Sequence, residues 1–167
     1  MKNRIRFELK LMALLPLLIT GLSIGAGNAA SETAETISPV MKSKPEIVMY
    51  KPPTCECCSG WAEHMRAAGF SVIVNKSENM EMIKAMNGVS GNLSSCHTAI
   101  VDGYVIEGHV PAADVERLLK ERPNITGLTA PGMPMQSPGM QAKGLPPKNY
   151  KVLSFDKDGN VRVFSDY

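Results

Sequence analysis

Residues 47–61 read Ile47-Val48-Met49-Tyr50-Lys51-Pro52-Pro53-Thr54-Cys55-Glu56-Cys57-Cys58-Ser59-Gly60-Trp61. A short apolar run that meets two prolines is a strand being stopped, so a strand is expected over 46–50. A helix is expected from about Ser59 to Ala68, with Gly69 as its C-terminal stop. Between them lie three of the chain's four cysteines. Sulfurs at that density either hold a soft metal ion or exchange electrons. Thiolates are strong ligands for Cu(I) and Zn(II), and the positive end of a helix favours the ionised sulfur that both chemistries need.

Working outward, Ser71-Val72-Ile73-Val74-Asn75 reads as a second strand, and Ser77 can cap a helix running to Met86 and ending at Asn87-Gly88. Thr98-Ala99-Ile100-Val101 and Tyr104-Val105-Ile106-Glu107 flank Asp102-Gly103, a strong hairpin signal. Pro111 then opens a helix with Val115, Leu118 and Leu119 on one face. Tyr150–Phe155 and Val161–Phe164 bracket Asp156-Lys157-Asp158-Gly159-Asn160 as a closing hairpin. Asp156 and Asp158 look like the start of a calcium loop, but the remaining acidic ligands are missing, and turn chemistry explains them. The order β-α-β-α-β-β-α, with a cysteine loop after the first strand, resembles the thioredoxin fold. That α/β layout lays the segment before the third strand, Ser94-Ser95-Cys96-His97, against the first-helix cysteines.

The fold leaves the chemistry open. Cys55 and Cys58 have the Cys-x-x-Cys spacing of an exchange centre, and Cys57 would be a competing or resolving thiol. Two structural disulfides are the usual use of four cysteines in an exported chain, but Cys55, Cys57 and Cys58 are too close together to staple distant elements. A structural zinc site draws on two well-separated cysteine pairs, whereas Cu(I) accepts two or three ligands and shares bridging thiolates. The compact spacing therefore favours copper, as more than one ion, with a thiol-disulfide oxidoreductase using Cys55 and Cys58 as the alternative.

Compartment bears on which of these holds. Lys2, Arg4, Arg6 and Lys10 precede the apolar run 11–19, which decays through small residues into Ala29-Ala30, the layout of a cleaved secretory signal peptide over 1–29. Pro16, Gly21, Gly25 and Gly27 interrupt the run, against a membrane anchor. The polar stretch 30–45 reads as a flexible tether and 46–167 as one small domain. The chain carries 18 Lys+Arg and 16 Asp+Glu, of which four and one lie in 1–29, leaving 14 against 15. No basic footprint for nucleic acid remains, and no later segment is long and apolar enough to span a membrane.

Further soft donors need weighing. His97, beside Cys96, is either a ligand or a hydrogen-bond partner of one. Nothing in the spacing aims His109 at the cysteines, so a hydrogen-bonded structural histidine is expected there. His64 lies two turns along the helix, about 10 Å of rise from Cys57. Met133, Met135 and Met140 fall in the Pro/Gly-rich run 131–140, where they are either thioether ligands for Cu(I) or adaptable apolar fillers. Met65, Met82 and Met86 fall at helical spacing and are expected in the core.

Longer motifs extend the reading: Tyr50-Lys51-x-x-x-Cys55-x-Cys57-Cys58-x-x-Trp61, Gly69-Phe70, Ser95-Cys96-His97-Thr98-Ala99, the run from Gly103 to Ala112, and Gly127-Leu128-x-x-Pro131-Gly132-Met133-Pro134 with Ser137-Pro138-Gly139-Met140. In this order they resemble the CopG family of exported bacterial copper-resistance proteins over residues 46–167. The resemblance implies a periplasmic, thioredoxin-like protein with a Met/Pro/Gly-rich loop. It implies copper, as Cu(I) or Cu(II), bound through Cys55, Cys57, Cys58, Cys96 and His97. The implied role is copper sequestration, transfer or redox cycling, with copper oxidoreductase activity left open. Its partners would be copper ions and other periplasmic copper-handling or redox proteins, with neither nucleic acid nor, after signal cleavage, a membrane.

Overall fold

The computed structural model describes residues 43–167, which fall within one compact unit. The expected signal peptide and nearly all of the tether lie outside the described residues. Strand β1 (Ile47–Lys51) buries Ile47, Met49 and Lys51 on alternate positions. Helix α1 (Glu56–Ala67) follows. It turns Cys58, Trp61, Ala62 and Met65 inward, the spacing of a core-facing helical stripe. Strand β2 (Val72–Lys76) returns parallel to β1, as a helical crossover permits. After α2 (Met80–Met86), β3 (Thr98–Val101) and β4 (Tyr104–Gly108) form the expected hairpin. Its turn residues Asp102 and Gly103 have φ of 49° and 85°, the positive pair that matches strand twist. Helix α3 (Ala112–Glu121) packs Ala112, Val115 and Leu118 inward.

The first four strands lie in the order β2-β1-β3-β4, with only β1 and β2 parallel, and α1 joins those two. This is the thioredoxin-like arrangement. Three strands extend it: β5 (Gly127–Ala130) parallel to β4, then β6 (Lys151–Phe155) and β7 (Val161–Asp166) as the closing antiparallel hairpin, giving one seven-stranded sheet. The sequence reading does not anticipate β5. All four of its residues are buried, so it lacks the alternation of a half-buried strand, and it begins on a glycine. That glycine is required by packing, because a Cβ at Gly127 would run into the Val105 backbone.

Three local expectations are corrected. Helix α1 starts at Glu56, so Cys57 and Cys58 lie in its first turn and Cys55 is its N-cap residue. The cap of α2 is Asn79, whose side chain accepts the Met82 N–H, while Ser77 Oγ accepts the Asn79 N–H one step earlier. Met82 and Met86 are 53% and 79% exposed, whereas Met65 is buried as expected. Helix α2 buries no residue at all; its tie to the sheet is Lys84, whose ammonium reaches Glu107 and Thr98 on β4 and β3. Helical spacing alone does not separate an apolar stripe from a solvated one when a charged side chain does the anchoring.

Candidate metal and thiol centre

The first turn of α1 and the end of β1 build one wall of the site. Cys55 is disulfide-bonded to Cys58, with Cα atoms 5.4 Å apart, and Cys58 is fully buried. Cys57 is a free, half-buried thiol whose Sγ lies 3.4 Å from Cys55 Sγ. Beneath this turn the Lys51 ammonium donates to the Cys55 carbonyl at 2.7 Å and to Ser59 Oγ at 3.0 Å. The disulfide closes a loop of sequence separation 3, as an exchange centre does, and staples no distant elements.

The opposite wall is the segment before β3. Glu107, fully buried on β4, accepts the Ser95 N–H at 2.6 Å and the Thr98 hydroxyl at 2.7 Å, and it pairs with Lys84. Burial pushes the Glu107 carboxyl above its ordinary pKa, and the Lys84 ammonium opposes that shift. The Gly108 N–H closes on the His97 carbonyl at 2.9 Å. So clamped, the segment presents Cys96 to the helix cysteines, and one sulfur from each of Cys55, Cys57, Cys58 and Cys96 lies within 4.8 Å of the others. Burial foremost, with the Cys57 sulfur beside it, pushes the Cys96 thiol up to about 11. A metal ion binding here would displace that proton.

Two histidines adjoin Cys96, and Cys96, His97 and His109 form a second group of potential ligands within 4.8 Å. His109 is hydrogen-bonded, as expected, and it also reaches Cys96, which its spacing does not indicate. Its Nδ1 lies 2.7 Å from the Pro138 carbonyl, which can only accept, so Nδ1 carries the proton and the bare Nε2 faces Cys96 Sγ at 2.9 Å. The β4–α3 connection aims it there, and neither ligand spacing nor periodicity encodes that approach. His97 is fully buried, with Nδ1 3.8 Å from Cys96 Sγ and Nε2 without a partner. Its ring packs on Trp61 and on His109, with centroids 4.6 and 5.0 Å apart. Burial foremost, reinforced by the neighbouring Lys84 and Lys51 ammonium groups, holds His97 well below the ordinary imidazole range, and burial lowers His109 as well. Both shifts favour the neutral ring, the form that can offer a lone pair. His64 stands apart, its Nε2 accepting the Ala112 N–H at 3.0 Å.

The segment 131–140 is fastened over the site at both ends. Gly132 N–H donates to the Ser94 carbonyl at 2.9 Å, and the Ser95 hydroxyl bonds the Gly132 carbonyl. At the far end Gly139, with φ of 88°, lies so close to α1 that a Cβ would meet Cys57 O and Trp61 N at 2.6 Å. Between these attachments Met133 and Met135 are 59% and 71% exposed, and Met140 is half-buried. Apolar filling therefore does not account for Met133 and Met135.

The donor set fits a soft ion: clustered sulfurs, neutral imidazoles, and a fully buried ring nitrogen lacking a partner. The Cys55–Cys58 disulfide withholds two of those sulfurs until it is reduced. Comparison with known proteins is consistent with the geometry. A family model described as "Protein of unknown function, DUF411" matches residues 93–140. No curated protein matches. Two solved structures, titled copper resistance protein CopG, form 1 and form 2, are each 36% identical to this chain. Each aligns with a TM-score of 0.68, covering 74% of this chain and 98% of the other. An identity of that size across nearly the full length of both relatives places this chain in the CopG family of copper resistance proteins.

Proposed function

We propose that the protein binds copper in the periplasm and sequesters, transfers or redox-cycles it in copper resistance. Cys55, Cys57, Cys58 and Cys96 would supply the thiolates, and His97 and His109 the imidazoles. The observation that carries this reading is the meeting of four sulfurs from two segments about 40 residues apart, within 4.8 Å of one another. Thiolates that close can bridge ions, which supports uptake of more than one Cu(I). The N-terminal sequence supports export. No described helix is long and apolar enough to cross a membrane.

The Cys55–Cys58 disulfide favours a second reading, thiol-disulfide exchange, and links it to the first. Reduction of that bond takes two electrons and two protons and yields two free thiols. The reverse step would pass two electrons to two Cu(II), giving two Cu(I), the disulfide and two protons. Metal binding and disulfide formation thus compete for one set of atoms. In the reduced protein, Cu(I) is expected to shield the cysteines from alkylation, and oxidation is expected to release the ion. Full alkylation in the presence of Cu(I), together with robust insulin reduction by the metal-free form, would leave the oxidoreductase reading in its place.

A further inference from the structure

Lys51 is 3% exposed, and its ammonium has two hydrogen-bond acceptors, the Cys55 carbonyl and Ser59 Oγ, both neutral. Other cations near the interior have carboxylate partners: Lys84 pairs with Glu107, and Arg117 with Asp114. Among the described residues no carboxylate forms an ion pair with Lys51. A buried ammonium without an anion is costly, and hydrogen bonds to neutral acceptors offset only part of that cost. The groups here that can become anionic are the sulfurs of the turn Lys51 underpins, since it holds the carbonyl of Cys55 itself.

We propose that Lys51 is the charge-compensating residue of the centre. Its ammonium stabilises the reduced, thiolate-bearing turn, and it is left without a counter-charge when Cys55 and Cys58 join. Its effect on metal binding rests on the copper–thiolate reading above; its effect on the disulfide does not. A residue that merely fills space under the turn would act in one direction on every state. A compensating charge acts in opposite directions on the two redox states.

The test compares metal-free wild type, Lys51→Met and Lys51→Arg equilibrated with reduced and oxidised glutathione. Two glutathione thiols become oxidised glutathione as the Cys55–Cys58 bond opens to two thiols. Lys51→Met should shift this equilibrium about tenfold toward the protein disulfide, roughly 30 mV, and Lys51→Arg should recover most of the shift. The thermal midpoint of the oxidised, metal-free Lys51→Met protein should be unchanged or higher, because an unpaired buried charge has been removed. In competition with a chromophoric chelator, the same variant should hold Cu(I) about tenfold more weakly. A glutathione equilibrium within twofold of wild type, or a lowered midpoint of the oxidised form, would overturn the proposal. Should Lys51→Arg not fold, Lys51→Gln replaces it as a neutral donor and must behave like Lys51→Met. If the wild type takes up no Cu(I), the copper reading fails, and the glutathione equilibrium still decides the role of Lys51.

Discussion

Cys96→Ser is expected to weaken Cu(I) binding by the reduced protein by on the order of a hundredfold or more, with at least one ion lost per chain. Removing a partner that only orients a ligand already costs roughly 10–100-fold in affinity, and Cys96 would be a ligand itself. It is the one sulfur contributed by the segment before β3, and it alone brings the bare Nε2 of His109 to the sulfur cluster. Cys57→Ser should cost a similar amount. Cys96 is half-buried and bonded to no other cysteine, so the substitution should leave thermal stability within about 1 kcal/mol. Anaerobic competition against a chromophoric Cu(I) chelator measures the affinity, and thermal melting checks the fold. An unchanged stoichiometry would remove Cys96 from the site.

Glu107→Ala should be the most destabilising single change near the centre, by about 3–5 kcal/mol, the usual cost of breaking a buried ion pair from one side. It would strand the Lys84 ammonium, the Ser95 N–H and the Thr98 hydroxyl together. Glu107→Gln keeps an acceptor for one of the two neutral donors and loses the charge, so it should cost clearly less. Because burial raises the Glu107 carboxyl, its charged form is the one the fold tolerates only through these partners. Urea denaturation of the metal-free protein reads the difference. A loss below about 1 kcal/mol for Glu107→Ala would mean that the Ser95–Cys96 segment is held by other contacts.

The legibility of the sequence divides along physical lines. Strand β1, the β3–β4 hairpin and the closing hairpin were readable because prolines, Asp102-Gly103 and Asp156–Asn160 punctuate alternating or short apolar runs. From that order followed the placement of Cys96 against the α1 cysteines, a contact that topology decides. The start of α1 was not readable: a Cys-rich turn has no strong helix signal, yet the Lys51 bond to the Cys55 carbonyl and Glu56 in the first turn support helix there. Helix α2 misled because Met82 and Met86 have helical spacing, while its attachment runs through Lys84. The approach of His109 to Cys96 is not legible, because it depends on Gly108, at φ of 72°, and on a carbonyl 29 residues away. Neither leaves a trace in ligand spacing.

Anaerobic titration of the fully reduced, metal-free protein with Cu(I), with Zn(II) present as competitor, tests the central claim most directly. Sulfurs this close, with neutral imidazoles beside them, should take up more than one Cu(I) per chain and exclude Zn(II). The Cys96 thiol, held at about 11, must give up its proton to bind, so its share of the affinity should fall about tenfold for each unit of lowered pH. One tightly bound Zn(II) per chain that Cu(I) cannot displace would contradict the account.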